Sequence, residues 1–350
     1  MKNEELATEM NDQWPMVDDQ YNHIVICAHV NPDGDAIGSS LALKHYFERK
    51  GKEATVVVPN IFPDFLKWMP GADCILIYTN PKHQEQIKSA IGKADLIVVC
   101  DLNQPNRLAG LEQDIMQSSA PRFLIDHHLD PADFCQVTVS HPEMCATGEV
   151  ICHLLCQRGE LDDISINEAI CLYTAMMCDT GAFSFNSNRA VIYEYISHLL
   201  AHGIDKDQIY RNVFWTASEA RLRLQGYLLY VNMKMLHDLH TAIITLTNDE
   251  RRRFKVKNGD TEGIVNMPLQ ILGLRLSIFI NEDTEHPGTM KLSLRSIGDF
   301  PCDQMASRFF GGGGHKNASG GKLQCSMSEA IEKVKAAIDS YADMLNKQLR

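Results

Sequence analysis

The sequence lacks several features that would each assign it to a class. No apolar run is long enough to span a bilayer. The opening MKNEELATEMNDQWPMVDDQ is polar and acidic, with no apolar signal-peptide core, and reads as a short, partly amphipathic lead-in. The 11 Cys form no CxxC pairs. Cys27, Cys100 and Cys171 fall in apolar runs, where a reduced thiol packs as a small hydrophobe. These absences predict a reducing, cytoplasmic setting without membrane attachment. Basic residues are also scarce: 33 Lys and Arg stand against 45 Asp and Glu, a net charge of −12. No global basic field gathers nucleic acid, and long duplex is excluded as a partner. A polyanionic substrate would need metal ions or a small basic pocket. There is no internal repeat, no low-complexity tract and no GK[ST] phosphate loop.

What is present is an ordinary globular composition, 45% hydrophobic and 22% charged, over 350 residues. That length suits roughly two domains. Apolar segments at 23–28, 54–59, 74–78, 94–100 and 122–125 read as buried strands. Segments at 36–50 and 84–92 have helical periodicity. The alternation predicts an α/β fold with a mostly parallel sheet flanked by helices. Helices are expected at 147–157, 167–177 and 190–202. Residues 1–203 are taken as one domain and 204–229 as a polar helical connection. Residues 230–350 make a smaller α/β domain, with strands at 240–247, 272–280 and 290–296 and a final helix over 328–349.

The informative stretch is CAHVNPDGDAIGS, residues 27–39. His29, Asp33 and Asp35 lie in a strand-to-helix turn, where open α/β sheets collect their ligand groups. Pro32 stiffens the turn and Gly34 lets it bend. Carboxylates this close repel unless a cation sits between them. The plain alternative is a solvated acidic turn. Asp101 ends a second strand, Asp126-His127-His128 a third, and Asp179 follows an apolar helix. An Asp after a strand is commonly a cap or turn residue. Repetition of the same chemistry at four such places is harder to explain by capping. Oxygen and imidazole donors without Cys suit Mn²⁺ best, with Mg²⁺ or Zn²⁺ as alternatives. So many ligands exceed the needs of one ion and suit a pair about 3.5–4 Å apart.

The strings AHVNPDGDAIGSS, VVCDLN, IDHHLD and CDTGAFSF resemble, in order, the four motifs of the DHH phosphoesterases. TEGIVN, KLSLRS and FFGGGGHKNASGG resemble the type-1 DHH-associated domain, so the likeness covers nearly the whole chain past residue 20. It is strongest to the bacterial nanoRNase and oligoribonuclease-like branch, whose members also act on 3′-phosphoadenosine 5′-phosphate and cyclic dinucleotides. The resemblance implies one metal on His29, Asp33 and Asp101. It implies a second on Asp35, Asp101, His127 and Asp179, with Asp101 bridging. His128 would face the scissile phosphate as donor or general acid. Asp126 would take a direct part in the site or, the preferred reading, orient a His from the outer shell. Ser184 and Asn186 depart from the residues that relatives often carry.

In the second domain, four glycines precede His315. Without Cβ atoms, Gly312, Gly313 and Gly314 could bring backbone N–H groups close to an anion, and the alternative is a flexible tip. Arg295 ends a strand and could grip phosphate with its planar fork. The resemblance implies that Arg295, His315 and Asn317 hold the terminal phosphate or nucleotide of the substrate. Gly263 would shape the fold.

The expectation is a two-metal-ion phosphodiesterase, its active site in the cleft between the domains, releasing nucleoside 5′-monophosphates from short oligonucleotides. Cyclic-dinucleotide or phosphoadenosine-phosphate hydrolysis is the alternative. Polyphosphate cleavage and a non-catalytic nucleotide sensor rank lower. A homodimer is left open.

Overall fold

The computed structural model describes residues 20–257 and 259–347, so the expected lead-in falls, except for Gln20, outside the described residues. The chain divides into two units, 1–216 and 217–350. Among the described residues no helix is long and apolar enough to cross a membrane. None of the cysteines is paired in a disulfide.

The first unit runs β1 (His23–Cys27), α1 (Gly34–Arg49), β2 (Glu53–Val58), β3 (Leu76–Ile77), α2 (Gln84–Lys93), β4 (Leu96–Cys100), α3 (Glu112–Gln117), β5 (Arg122–Asp126) and β6 (Val137–Ser140). Four helices follow: α4 (Thr147–Gln157), α5 (Ile166–Asp179), α6 (Ala190–Ala201) and α7 (Lys206–Phe214). The strands form one sheet in the order β3-β2-β1-β4-β5-β6, every neighbouring pair parallel. Both faces are covered, as a parallel sheet requires. In β1, Ile24 and Ile26 join a large core with residues of α1, α4 and α5, including Leu41, Ile151 and Met176. Val25 and Cys27 point the other way, to Ile87, Leu111 and Ile115. This two-residue alternation is the strand period.

The chain goes from β1 outward to β2 and β3, then crosses to β4 on the other side of β1. The carboxyl ends of β1 and β4 therefore flank the point where the winding direction changes, which is where such sheets bind ligands. Glycines draw three helices to that point. A Cβ on Gly38 would lie 2.7 Å from the Cys171 carbonyl oxygen, and one on Gly34 would lie 2.2 Å from Cys178 Sγ, so α1 packs directly on α5. A Cβ on Gly148 would sit 2.6 Å from that of Ala175, which joins α4 to the same contact.

Several expected elements change. The strand at 74–78 shrinks to two residues, because a 3-10 turn at Ala72–Cys74 uses up its start. β6, a short and half-exposed VTVS, gave too little apolar signal to be expected. In the stretch taken as a connection, α7 lies in the first unit, and the boundary falls after Thr216.

The second unit contains α8 (Glu219–Tyr227), β7 (Lys234–Leu236), β8 (Thr241–Leu246), α9 (Asn248–Phe254), β9 (Leu276–Glu282) and β10 (Thr289–Ser296). Then come α10 (Cys302–Phe310), β11 (Gly313–His315), β12 (Ala318–Gln324), α11 (Met327–Asp339) and α12 (Ala342–Leu345). Its sheet, ordered β11-β12-β10-β9-β8-β7, is antiparallel except for β8 with β9. One core packs the sheet on α10 and α11 through Met305, Phe310, Val334 and Ile338. A smaller one gathers Leu224, Leu228, Ile244 and Phe279. The expected last helix is two helices, interrupted at Ser340 and Tyr341. The expected strand at 272–280 begins only at Leu276, and Leu272 is fully exposed.

Gly38→Ala tests the close contact of α1 with α5. Overpacking should lower stability by about 1–3 kcal/mol, read as a lower urea midpoint in an otherwise folded protein. An unchanged midpoint would mean that the helices have room to part.

Candidate metal centre

The site begins where β1 becomes α1. Asp33 caps the helix: Oδ1 accepts the backbone N–H groups of Asp35 at 3.0 Å and Ala36 at 3.1 Å. Its Oδ2 is left facing His29 Nε2, 3.8 Å away. Asp35 is buried in the first turn of α1. It accepts the N–H groups of Thr147 at 2.6 Å and Gly148 at 3.0 Å, and the Ser39 hydroxyl at 2.9 Å. Those amides are the first of α4, so the positive end of a helix faces a buried carboxylate.

Asp101 follows β4 with φ 61°, a left-handed conformation uncommon outside glycine. Backbone strain of this kind concentrates at functional sites. Its two oxygens look in two directions. Oδ2 lies 3.5 Å from His29 Nε2, and Oδ1 lies 3.7 Å from His127 Nε2. Oδ1 also accepts the Thr147 hydroxyl at 2.9 Å. Beyond β5, His127 Nε2 stands 3.7 Å from Asp35 Oδ2 and 3.6 Å from Asp179 Oδ2. Asp179 arrives from the last turn of α5, carried there by the packing on α1. His128 Nδ1 is 2.7 Å from Asp126 Oδ1, and the other Asp126 oxygen is buried without a hydrogen-bond partner.

These contacts bear on whether a metal fits. His29 Nδ1 donates to the Val30 carbonyl at 2.8 Å, and His127 Nδ1 to the Met144 carbonyl at 3.3 Å. With those protons engaged, each neutral ring presents a Nε2 lone pair to carboxylate oxygens. Such an encounter is repulsive unless a proton or a cation intervenes. Separations of 3.5–3.8 Å are too long for hydrogen bonds but suit ligands around a shared ion. The sets His29, Asp33, Asp101 and Asp35, His127, Asp179 could each hold one, as could Asp101, His127, His128. The donors present therefore fit hard divalent cations.

The charges are in conflict without such ions. Burial, together with the charges of Asp101, Asp179 and Asp33, pushes Asp35 well above the usual carboxylate range. Asp179 is pushed up to about 6 by burial, with His127 opposing and Asp101 and Asp33 adding. Burial also acts to raise Asp101, but the imidazoles of His29, His127 and His128 outweigh it and hold the group well below its ordinary value. Burial disfavours charge on His29 and His128, yet Asp101 raises the first and Asp126 with Asp101 the second.

Sequence reasoning did not single out the supports. Ser39, Thr147 and Gly148 hold Asp35 and Asp101, and their only signal was a small polar pair opening a helix. Glu149 is fully buried, accepts the Cys145 N–H at 2.7 Å and pairs with Arg189. The loop after Asp179 places Ala182, Phe183 and Asn186 in left-handed conformations.

The residues singled out in the second unit have a different setting. The glycine tract is a β-hairpin, with Gly313 paired to Gly320 and His315 to Ala318. A Cβ on Gly312 would fall 1.8 Å from the Gly320 oxygen, and one on Gly314 would fall 2.6 Å from the Ala318 oxygen. Close approach of the two hairpin arms is thus reason enough for glycine at both positions. The Asn317 amide donates to Ser296 Oγ at 2.8 Å and to the carbonyls of Gly298 and Phe300, tying the hairpin turn to its neighbour. Arg295 is half-buried and donates to the Leu294 carbonyl. A hollow of about 560 Å³ lies against the hairpin, lined by Arg308, Ser307, Tyr341 and the glycines.

The first unit is thus an α/β protein with a candidate divalent-metal centre at its topological switch point. Models of the DHH family N-terminal domain and of the DHHA1 domain match residues 23–176 and 239–344, and the chain belongs to the DHH family and is a phosphoesterase. Over 316 residues it is 26% identical to the bifunctional oligoribonuclease and PAP phosphatase NrnA of Thermus thermophilus, spanning 90% of this chain and 89% of that one. It is 23% identical to the cyclic-di-AMP phosphodiesterase GdpP of Geobacillus thermodenitrificans, spanning 91% of this chain and 47% of that one. The crystal structure of an exopolyphosphatase-related protein from Bacteroides fragilis is similar at a TM-score of 0.93 and 46% identity, over 97% of this chain and 98% of that one.

The raised Asp179 has a consequence for stability. Between about pH 4 and 6 the folded, metal-free protein holds a proton that the unfolded chain has released, so stability falls as pH rises through that window. Asp35 acts in the same sense. The raised His29 and His128 contribute below the ordinary imidazole value and lose that contribution above it. Chelator-treated protein should therefore show a lower urea midpoint at neutral pH than near pH 5. Added Mn²⁺ should raise the midpoint most at neutral pH, and Asp179→Asn should flatten the slope.

Proposed function

We propose that the chain is a divalent-metal-dependent phosphodiesterase that hydrolyses short oligonucleotides to nucleoside 5′-monophosphates. The observation that carries this reading is the placement of Asp101 between two His–carboxylate sets, one oxygen toward His29 and the other toward His127. His29, Asp33 and Asp101 would hold one ion, and Asp35, Asp101, His127 and Asp179 a second; Mn²⁺ or Mg²⁺ suits both. Ions so held supply charge neutralisation for the phosphate and a lowered pKa for water. His128, steered by Asp126, hydrogen-bonds the phosphate or gives a proton to the leaving oxygen. The α4 amides and the Thr147 hydroxyl keep Asp35 and Asp101 in place. Arg295 and His315 of the second unit are proposed as further substrate contacts. The net charge of −12 argues against tracking of long polymer.

The preference for short oligonucleotides is supported by the similarity to NrnA along most of both chains. Hydrolysis of cyclic dinucleotides is the second reading, favoured by the similarity to GdpP, of which this chain spans only about half. A matrix of metals against substrates on pure protein separates them, with graded RNA and DNA, cyclic dinucleotides, phosphoadenosine phosphate and pyrophosphate. The highest kcat/KM is expected on chains of a few nucleotides with Mn²⁺; no cleavage of any phosphodiester would end the proposal.

Asp101→Ala should lose more activity than the roughly 10–100-fold typical of removing an outer support. Asp126→Asn should fall within that range, mainly in kcat, with Mn²⁺ affinity retained. A calorimetric titration beside steady-state kinetics reads both.

A further inference from the structure

The segment after Asp101 carries a cation that none of the roles above employs. Residues Pro105–Leu111 form a 3-10 stretch pinned by the buried side chains of Leu108 and Leu111. It is stitched to both neighbouring turns of the metal centre. The Arg107 carbonyl accepts the N–H of Val30, the residue after His29, at 2.8 Å. On the other side, Asn103 Nδ2 donates to the Leu129 carbonyl at 2.7 Å and Gln104 Nε2 to that of Asp130 at 3.0 Å, just beyond His128. Arg107 is therefore held between the turns that bear His29 and His128.

Its side chain is half-buried, and among the described residues its guanidinium has neither an ion pair nor a hydrogen bond. That is unusual for a partly buried arginine, since charged side chains taken out of water are generally paired. It is more unusual in a chain with 45 acidic residues, beside a cluster of carboxylates. The anchoring of the segment falls to its leucines and backbone, so the guanidinium is not needed for structure. A planar fork of donors suits the tetrahedral oxygens of a phosphate, which it can contact through two parallel hydrogen bonds.

We propose that Arg107 is a substrate-binding residue whose guanidinium receives the anionic oxygens of the phosphate group at the metal centre, on the side of His128. The assignment rests on the reading of this centre as a phosphoesterase site. It supplies the small basic pocket that an acidic protein needs to hold a polyanion next to carboxylates.

The test is calorimetric binding of inorganic phosphate to Mn²⁺-saturated protein, for wild type, Arg107→Ala and Arg107→Lys. It is paired with kcat/KM on a dinucleotide and with Mn²⁺ titration alone. Arg107→Ala should weaken phosphate binding roughly ten-fold or more, the scale of a charge-assisted contact, and lower kcat/KM at least as far. Arg107→Lys should recover only part, because it restores charge without the fork. Mn²⁺ binding should be no weaker in either variant, since each keeps every carboxylate. Phosphate affinity within about two-fold of wild type would overturn the assignment. So would a loss matched by weaker Mn²⁺ binding, which would make Arg107 a prop for the loop. Were wild type to cleave no phosphodiester, the proposed activity would fall, and the phosphate-binding comparison would still decide the role of Arg107.

Discussion

Mutual repulsion among Asp33, Asp35, Asp101 and Asp179 is the constraint to which the first unit answers. The electrostatic conflict is visible in Asp35 and Asp179, both driven toward the protonated form, while Asp101 stays ionised because three imidazoles surround it. A fold could relieve such crowding by spreading the groups apart. This one instead directs the amide end of a helix at Asp35 and caps a second helix with Asp33. The conflict that remains is of the kind a divalent cation removes. The arrangement of donors fits that chemistry.

Holding the groups so close depends on features far less conspicuous than the ligands. Gly34, Gly38 and Gly148 remove the side chains that would keep α1, α4 and α5 apart. Were those helices wider apart, Asp179 would be withdrawn from His127 and the Thr147 amide from Asp35. The geometry of the candidate site and core packing are thus one problem here. The strain accepted at Asp101, in a left-handed conformation, fits the same pattern: the surrounding strands over-determine a backbone that a lone residue would avoid.

Much of this was legible in the chain. Strand β4 is fully buried, and β1 and β5 are buried beyond their first residues, so all three parallel strands read as continuous apolar runs. The polar residues that end those runs are the ones that lie together in the structure. Elements with weak local signals were less legible. β6 is four residues long, β3 only two, and the glycine tract forms a hairpin whose pairing partner is no more hydrophobic than a loop. The glycines suggested an anion cradle, yet the contact between hairpin arms already requires them at Gly312 and Gly314. Asn317, expected to meet substrate, has its amide engaged by the adjoining loop. A motif identifies which residues recur together but not which atom each one uses.

From the sequence alone came the α/β class, the family and the list of donors at strand ends. Those are properties of period, order and residue type, which survive without coordinates. Which carboxylate faces two histidines, which helix end shields Asp35, and that Arg107 lies between the turns that bear His29 and His128 were decided only by the folded chain. Each depends on atoms dozens of residues apart meeting within a few ångströms. The hydrophobic pattern that drives the chain together records only which residues leave water, and carries no imprint of those meetings.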